Sequence, residues 1–218
     1  MTLRLSSMLA AAATTWLISG SACAAIDLMP KEITVGKNTT TVEVVNTGDR
    51  PEYVTISLAR LLNPGVPLSE EKMEQIGDAS KPALYAFPAK LSLAPKQTKR
   101  IVLKPLREVE VETVYRLDVK PSIKAMRETQ AKTVGNIIVN LGFSGLVRQL
   151  PEREREDLTV ACESFGARLT ATGTVRYRVD GAKVNDERLD AFNVYPGVPI
   201  PVHGQVVEIP GHQSCRAQ

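Results

Sequence analysis

From Ile26 onward the large apolar residues recur at every second position in short runs, and no stretch sustains the three-to-four spacing of an amphipathic helix. The runs 39–45, 53–60, 91–93, 98–103 and 114–119 are rich in β-branched residues and are predicted as strands. Between them stand the turn signals Thr47-Gly48-Asp49, Asn63-Pro64-Gly65 and Ala94-Pro95-Lys96. Short strands spaced by such turns predict an antiparallel sandwich wired as a Greek key. Faint helical signals at 68–76 and 122–129 predict no more than a turn or two within loops.

One further run is longer than the others. Across 134–147, Ile137, Val139, Leu141, Phe143 and Val147 share one strand face, and mostly small or polar residues occupy the other. A single apolar phase of this length asks for a deep apolar groove. That groove could be the protein's own core or one that a partner offers.

Leu150-Pro151 and the charged segment 152–157 then read as a linker, because Pro interrupts a ladder and the charges resist burial. Beyond it, the runs 158–162, 168–170, 175–179 and 202–209 are again strand-like. The organisation predicted is a leader over 1–24, a first β-sandwich domain over 25–150 and a smaller one over 151–218. A unit of about 60 residues buries little core and benefits from a covalent staple.

The leader is read from Arg4, the apolar stretch 8–18 and the small-x-small pattern Ala22-Cys23-Ala24, which together form an export signal cleaved before Ala25. That stretch is too short to span a bilayer, and no later segment is longer, so stable membrane insertion is not expected. Cleavage leaves Cys162 and Cys215. An even pair in an exported chain reads as a disulfide, worth roughly 4 kcal/mol for a loop of this size in the chain-entropy model. The formal charge of the whole chain is +3, and basic residues alternate with acids, as in Arg153-Glu154-Arg155-Glu156. No basic footprint for nucleic acid results.

Catalytic readings find little to build on. The two histidines, His203 and His212, have no metal-ligand spacing with one another or with cysteine, and no nucleophile elbow or phosphate-binding glycine loop is present. Neither a metal nor another cofactor is expected, nor is an enzyme.

Several motifs, in order, resemble the periplasmic chaperones of the chaperone–usher pilus systems. They are Leu61-Leu-Asn-Pro-Gly65, Pro88-Ala-Lys-Leu-Ser-Leu-Ala-Pro95 with Lys99-Arg-Ile, Val114-Tyr-Arg, Val119-Lys-Pro121, Leu146-Val-Arg-Gln-Leu-Pro151 and Asn193-Val-Tyr-Pro196. The similarity is greatest to the alternate branch, which assembles colonisation-factor and cable-type fimbriae. It implies two immunoglobulin-like β-sandwich domains in tandem, an all-β fold, and residence in the periplasm.

The resemblance also implies a mechanism. Pilus subunits of these systems lack the last strand of their sandwich, and the chaperone lends one of its own before delivery to an outer-membrane usher. By position the donor residues are Ile137, Val139, Leu141 and Phe143. Four such side chains give roughly 6 to 12 kcal/mol of gross burial, at about 1.5 to 3 kcal/mol each. Main-chain hydrogen bonds add to this. Self-association through the unpaired donor strand is a further expectation.

The family holds the subunit's terminal carboxylate on basic residues in the cleft between the domains. Here the sequence departs from the better-known branch, since Ile26-Asp-Leu-Met-Pro30 contains no basic residue and the other expected position falls near Ser144. Arg116 is the first candidate anchor, because Val114, Arg116 and Asp118 share the face opposite Tyr115, Leu117 and Val119; Arg148 and Lys99 follow. The competing reading is a structural or adhesive surface module of the same fold. Such a module would carry a spare N-terminal arm, whereas a chain beginning at Ala25 enters its first strand almost at once.

Overall fold

A computed structural model describes residues 26–122 and 141–217. The leader, Ile137, Val139 and all but the first residue of the faint helical signal at 122–129 lie outside these residues. The architecture is all-β: two immunoglobulin-like β-sandwiches in tandem, with a single 3₁₀ turn at Leu68–Glu70 among the described residues.

The first sandwich contains β1 (Ile26–Met29), β2 (Glu32–Val35), β3 (Thr40–Asn46), β4 (Glu52–Leu61), β5 (Met73–Gln75), β6 (Leu84–Phe87), β7 (Lys90–Leu93), β8 (Thr98–Pro105), β9 (Thr113–Pro121) and β10 (Phe143–Gln149). One sheet runs β1-β3-β8-β6; the other runs β2-β10-β9-β4, with β5 and β7 on opposite ends of the β4 edge. Alternation drives the packing. Val42 and Val44 of β3 and Ile101 and Leu103 of β8 face Ile56 and Leu58 of β4 and Tyr115, Leu117 and Val119 of β9 across one apolar core.

Between β1 and β2 the chain changes sheets at Pro30-Lys31, so that β1 pairs with β3 while β2 lies parallel to β10. Gly145 makes the crossing possible. A Cβ there would come within 2.8 Å of Leu28 and 3.2 Å of Ile33, the side chains that close this end of the core.

The second sandwich contains β11 (Leu158–Glu163), β12 (Gly166–Ala171), β13 (Tyr177–Val179), β14 (Lys183–Val184), β15 (Glu187–Arg188), β16 (Phe192–Val194), β17 (Ile200–His203), β18 (Val206–Glu208) and β19 (Cys215–Arg216). Its sheets are β11-β12-β17, the pair β13-β16, and β15-β14-β18-β19. The Cys162–Cys215 disulfide joins β11 to β19 and so ties two of these sheets together.

The expected single strand at 202–209 is two strands. At Gly204-Gln205 the chain leaves β12, the partner of β17, and joins β14 and β19 as β18. Hydrogen bonds fix the break: the Gly204 N–H donates to Phe165 O and the Val206 N–H to the Asn185 side chain, both at 3.0 Å. At 68–76 the faint helical signal resolves into the 3₁₀ turn followed by β5.

Candidate functional site

The outer face of β9 and β10 forms the floor of a cleft beneath the second sandwich. Registry places Arg148 opposite Val114, Leu146 opposite Arg116 and Ser144 opposite Asp118, so these six side chains share the face turned away from the core. Val114 is nonetheless buried. Together with Leu61 and the half-buried Leu146 it packs against Tyr195 and Val198 of the second sandwich.

Two of the sequence motifs meet at this junction. Gly65, at φ +97°, brings the Leu61-Leu-Asn-Pro-Gly65 turn against Asn193-Val-Tyr-Pro196. A Cβ at Gly65 would lie 3.2 Å from the Asn193 carbonyl and 3.4 Å from the Tyr195 ring, so both the backbone angle and the space call for glycine.

Among the described residues, three arginines enter the cleft, each with a carboxylate on it. Arg116 is held by Glu71 in a two-point pair, its Nε donating to Oε2 at 3.0 Å and its Nη2 to Oε1. The hydrogen bond from Glu71 is the main cause that raises the Arg116 pKa above the ordinary arginine value. Asn63 brackets Glu71, accepting from the Lys72 N–H and donating to the Glu70 carbonyl, and thereby fixes the turn that delivers the acid.

Arg148 is held by Glu112, with Nε to Oε1 at 2.5 Å and Nη2 to Oε2 at 3.1 Å. Burial opposes the charge of Arg148, but the hydrogen bond and charge of Glu112, with a contribution from Glu32, outweigh it and leave the pKa above the ordinary value. Glu112 also accepts the Arg176 backbone N–H at 2.7 Å, and its own N–H donates to Thr174 O at 2.8 Å. One buried acid thus joins the end of β10 to the second sandwich.

Arg176 is the third, contributed by the second sandwich. Its Nη2 donates to Glu32 at 2.9 Å and its Nη1 to the Tyr195 hydroxyl at 3.3 Å, and Glu32 also stands 3.6 Å from Arg148 Nη1. Sequence reasoning missed Arg176. It lies in no recognised motif, and only the folding of 176 back onto Glu32, 144 positions earlier, makes it part of the cleft.

Of the anchor candidates, the structure brings Arg116 and Arg148 onto one face. Lys99 is on β8 opposite Val44, in the other sheet. Beneath the cleft, Tyr115 donates to Gln149 Oε1 at 3.0 Å, and Gln149 donates in turn to the carbonyls of Ala83 and Arg107. Burial pushes the Tyr115 phenol up to about 12, against the lowering effect of Arg60 and Arg107.

The edges of β10 differ along its length. Over Leu146–Gln149 the strand has β9 on one side and β2 on the other, whereas over Phe143–Gly145 its strand partner among the described residues is β9. Val147 lies wholly in the protein's own core, and Phe143 packs partly against that core under Lys31, whose Nζ is 5.5 Å from the ring centroid. Leu141 precedes the strand and is 48% exposed. Any segment lent to a partner must therefore lie upstream of Leu146, on the side where Ile137, Val139, Leu141 and Phe143 occur.

Comparison with known proteins accords with this geometry. No protein-family model matches the chain. The chain is 24% identical over 176 residues to a CS1 fimbrial protein of Escherichia coli, covering 74% of this chain and 73% of that protein. Among solved structures, the class 5 fimbriae chaperone CfaA superposes with a TM-score of 0.67 at 20% identity, covering 86% of this chain and 92% of its own. A chaperone–tip adhesin complex of CFA/I fimbriae biogenesis gives the same TM-score and identity over 89% and 99%. At these identities the likeness carries the fold.

Proposed function

We propose that this protein is a periplasmic assembly chaperone of fimbriae, which binds pilus subunits by donor-strand complementation and delivers them to an outer-membrane usher. The observation that carries this reading is the strand β10. Its downstream half is locked between two neighbours, its upstream end has one open side among the described residues, and the apolar run leading into it has the phase that a groove would accept. A subunit strand would add to that open side through main-chain hydrogen bonds while alternate apolar side chains enter the subunit.

The cleft supports the same reading. It lies at the locked end of the donor strand and is lined by guanidinium groups, which recognise a terminal carboxylate by charge-assisted, often two-point hydrogen bonds. Arg116 already has both points taken by Glu71. Arg148 and Arg176 each keep an Nη toward the half-exposed Glu32, so these two, from different sandwiches, form the anchor.

The test is co-expression with a fimbrial major subunit bearing an export signal. The subunit should accumulate in the periplasm, bound one to one, only when this protein is present. If the protein instead enters polymers with copies of itself or with subunits, the structural-module reading replaces the chaperone one.

A further inference from the structure

The three cleft arginines and their three acids cancel formally, so a terminal carboxylate arriving there meets no excess positive charge unless an acid leaves. The acids are not equivalent. The Glu112 side chain is fully buried and holds the two sandwiches together, and that of Glu71 is 4% exposed and fixed by Asn63. Glu32 is 50% exposed, sits on the short strand β2, and its carboxylate touches the guanidinium groups of Arg148 and Arg176.

We propose that Glu32 is a built-in plug, an internal carboxylate that occupies the Arg148–Arg176 fork in the free protein and swings out when a subunit's terminal carboxylate takes its place. This rests on the chaperone reading above and adds to it a competitor belonging to the chain itself. The exchange needs only a side-chain movement, because the backbone around Glu32 is held by β10, with the Leu146 N–H donating to Lys31 O at 2.8 Å. The fork survives the departure of Glu32. Arg148 stays fixed by two bonds to Glu112, and Arg176 by Tyr195 and by its own backbone bond to Glu112. Two preorganised donors are then free, and binding costs little further ordering.

Such a plug makes capture selective. A neutral or internal stretch of chain gains nothing by expelling Glu32, whereas a chain end with a free carboxylate replaces the lost ion pair. It also keeps two partly desolvated guanidinium groups from attracting other anions while the protein is empty.

The experiment uses the whole exported protein and a synthetic peptide spanning the last strand of a fimbrial subunit, prepared as the free acid and as the C-terminal amide, with affinities read by fluorescence anisotropy. Wild type should prefer the acid. Glu32→Gln should tighten the free acid roughly threefold to tenfold, the range expected for a half-exposed ion pair. It should leave the amide unchanged, and the gain should shrink as salt is raised. Glu43→Gln, at an exposed acid on β3, should change neither affinity, and Arg176→Ala should abolish the preference for acid over amide. If Glu32→Gln leaves the free acid unchanged or weakens it while wild type still prefers the acid, Glu32 is a strut and not a plug. If wild type binds neither peptide, the chaperone reading falls and takes the plug with it.

Discussion

Glu112 and Arg148 form a two-point ion pair across 36 positions of the chain, and the same carboxylate accepts the backbone N–H of Arg176 from the second sandwich. The pair is a joint as well as a contact. Removing the acid leaves Arg148 charged, largely buried and uncompensated, which costs about 3 to 5 kcal/mol in comparable cases. Glu112→Ala should therefore lower the unfolding midpoint in urea and split one transition into two, one for each sandwich. A single transition at the wild-type midpoint would show that the joint contributes nothing.

The arginines should rank by how their bonds are used. Arg148→Ala and Arg176→Ala should each weaken subunit capture by about 2 to 5 kcal/mol, the range for truncating one partner of a buried charge pair. Arg116→Ala should cost less, because its guanidinium is spent on Glu71, although from the strand pattern alone Arg116 is the first choice. Lys99→Ala should have no effect. Competition binding with a labelled subunit checks the order, and a dominant loss at Arg116 would move the anchor there.

The disulfide should be complete in periplasmic material, so alkylation without reductant should label neither Cys162 nor Cys215. Replacing both by Ala should destabilise the second sandwich by about 2 to 4 kcal/mol and leave the first near its original stability. Two alkylated thiols in native protein would refute the bridge.

Tyr115 sets an alkaline limit. Burial raises its pKa from 10.0 to about 12, so the fold favours the neutral phenol. The unfolded chain loses this proton near its ordinary pKa, while the folded protein holds it higher. The stabilisation is thus fully present below about pH 10 and is lost as pH rises toward about 12. A tyrosine absorbance titration should contain a step near the upper value that Tyr115→Phe removes, and an unchanged curve for that variant would place the shifted phenol elsewhere.

Much of the fold is legible in the sequence because alternation reports burial directly. The run 53–60 is the heart of β4, 114–119 that of β9, and Tyr115, Leu117 and Val119 lie on the core side of the pleat. Alternation says nothing about what covers an outward face, however. Val114 and Leu146 share the face of Arg116 and yet are covered by Tyr195 and Val198, because the second sandwich docks there. The change of sheet at Gly204-Gln205 is hidden for a similar reason, since both halves of 202–209 have strand-like residues and only the differing partners of β17 and β18 separate them. The carboxylates on Arg116, Arg148 and Arg176 come from positions 45, 36 and 144 residues away, and no local spacing signals such encounters.

Donor-strand lending is tested most directly by replacing Val139 and Leu141 together with Ser and measuring recovery of a co-expressed fimbrial subunit from the periplasm. The variant should remain folded, by its circular dichroism and unfolding midpoint, and should recover no subunit, because these side chains face a partner and not the protein's own core. A variant that is itself unfolded or degraded, or one that recovers the subunit as well as wild type, would contradict the lending of this strand.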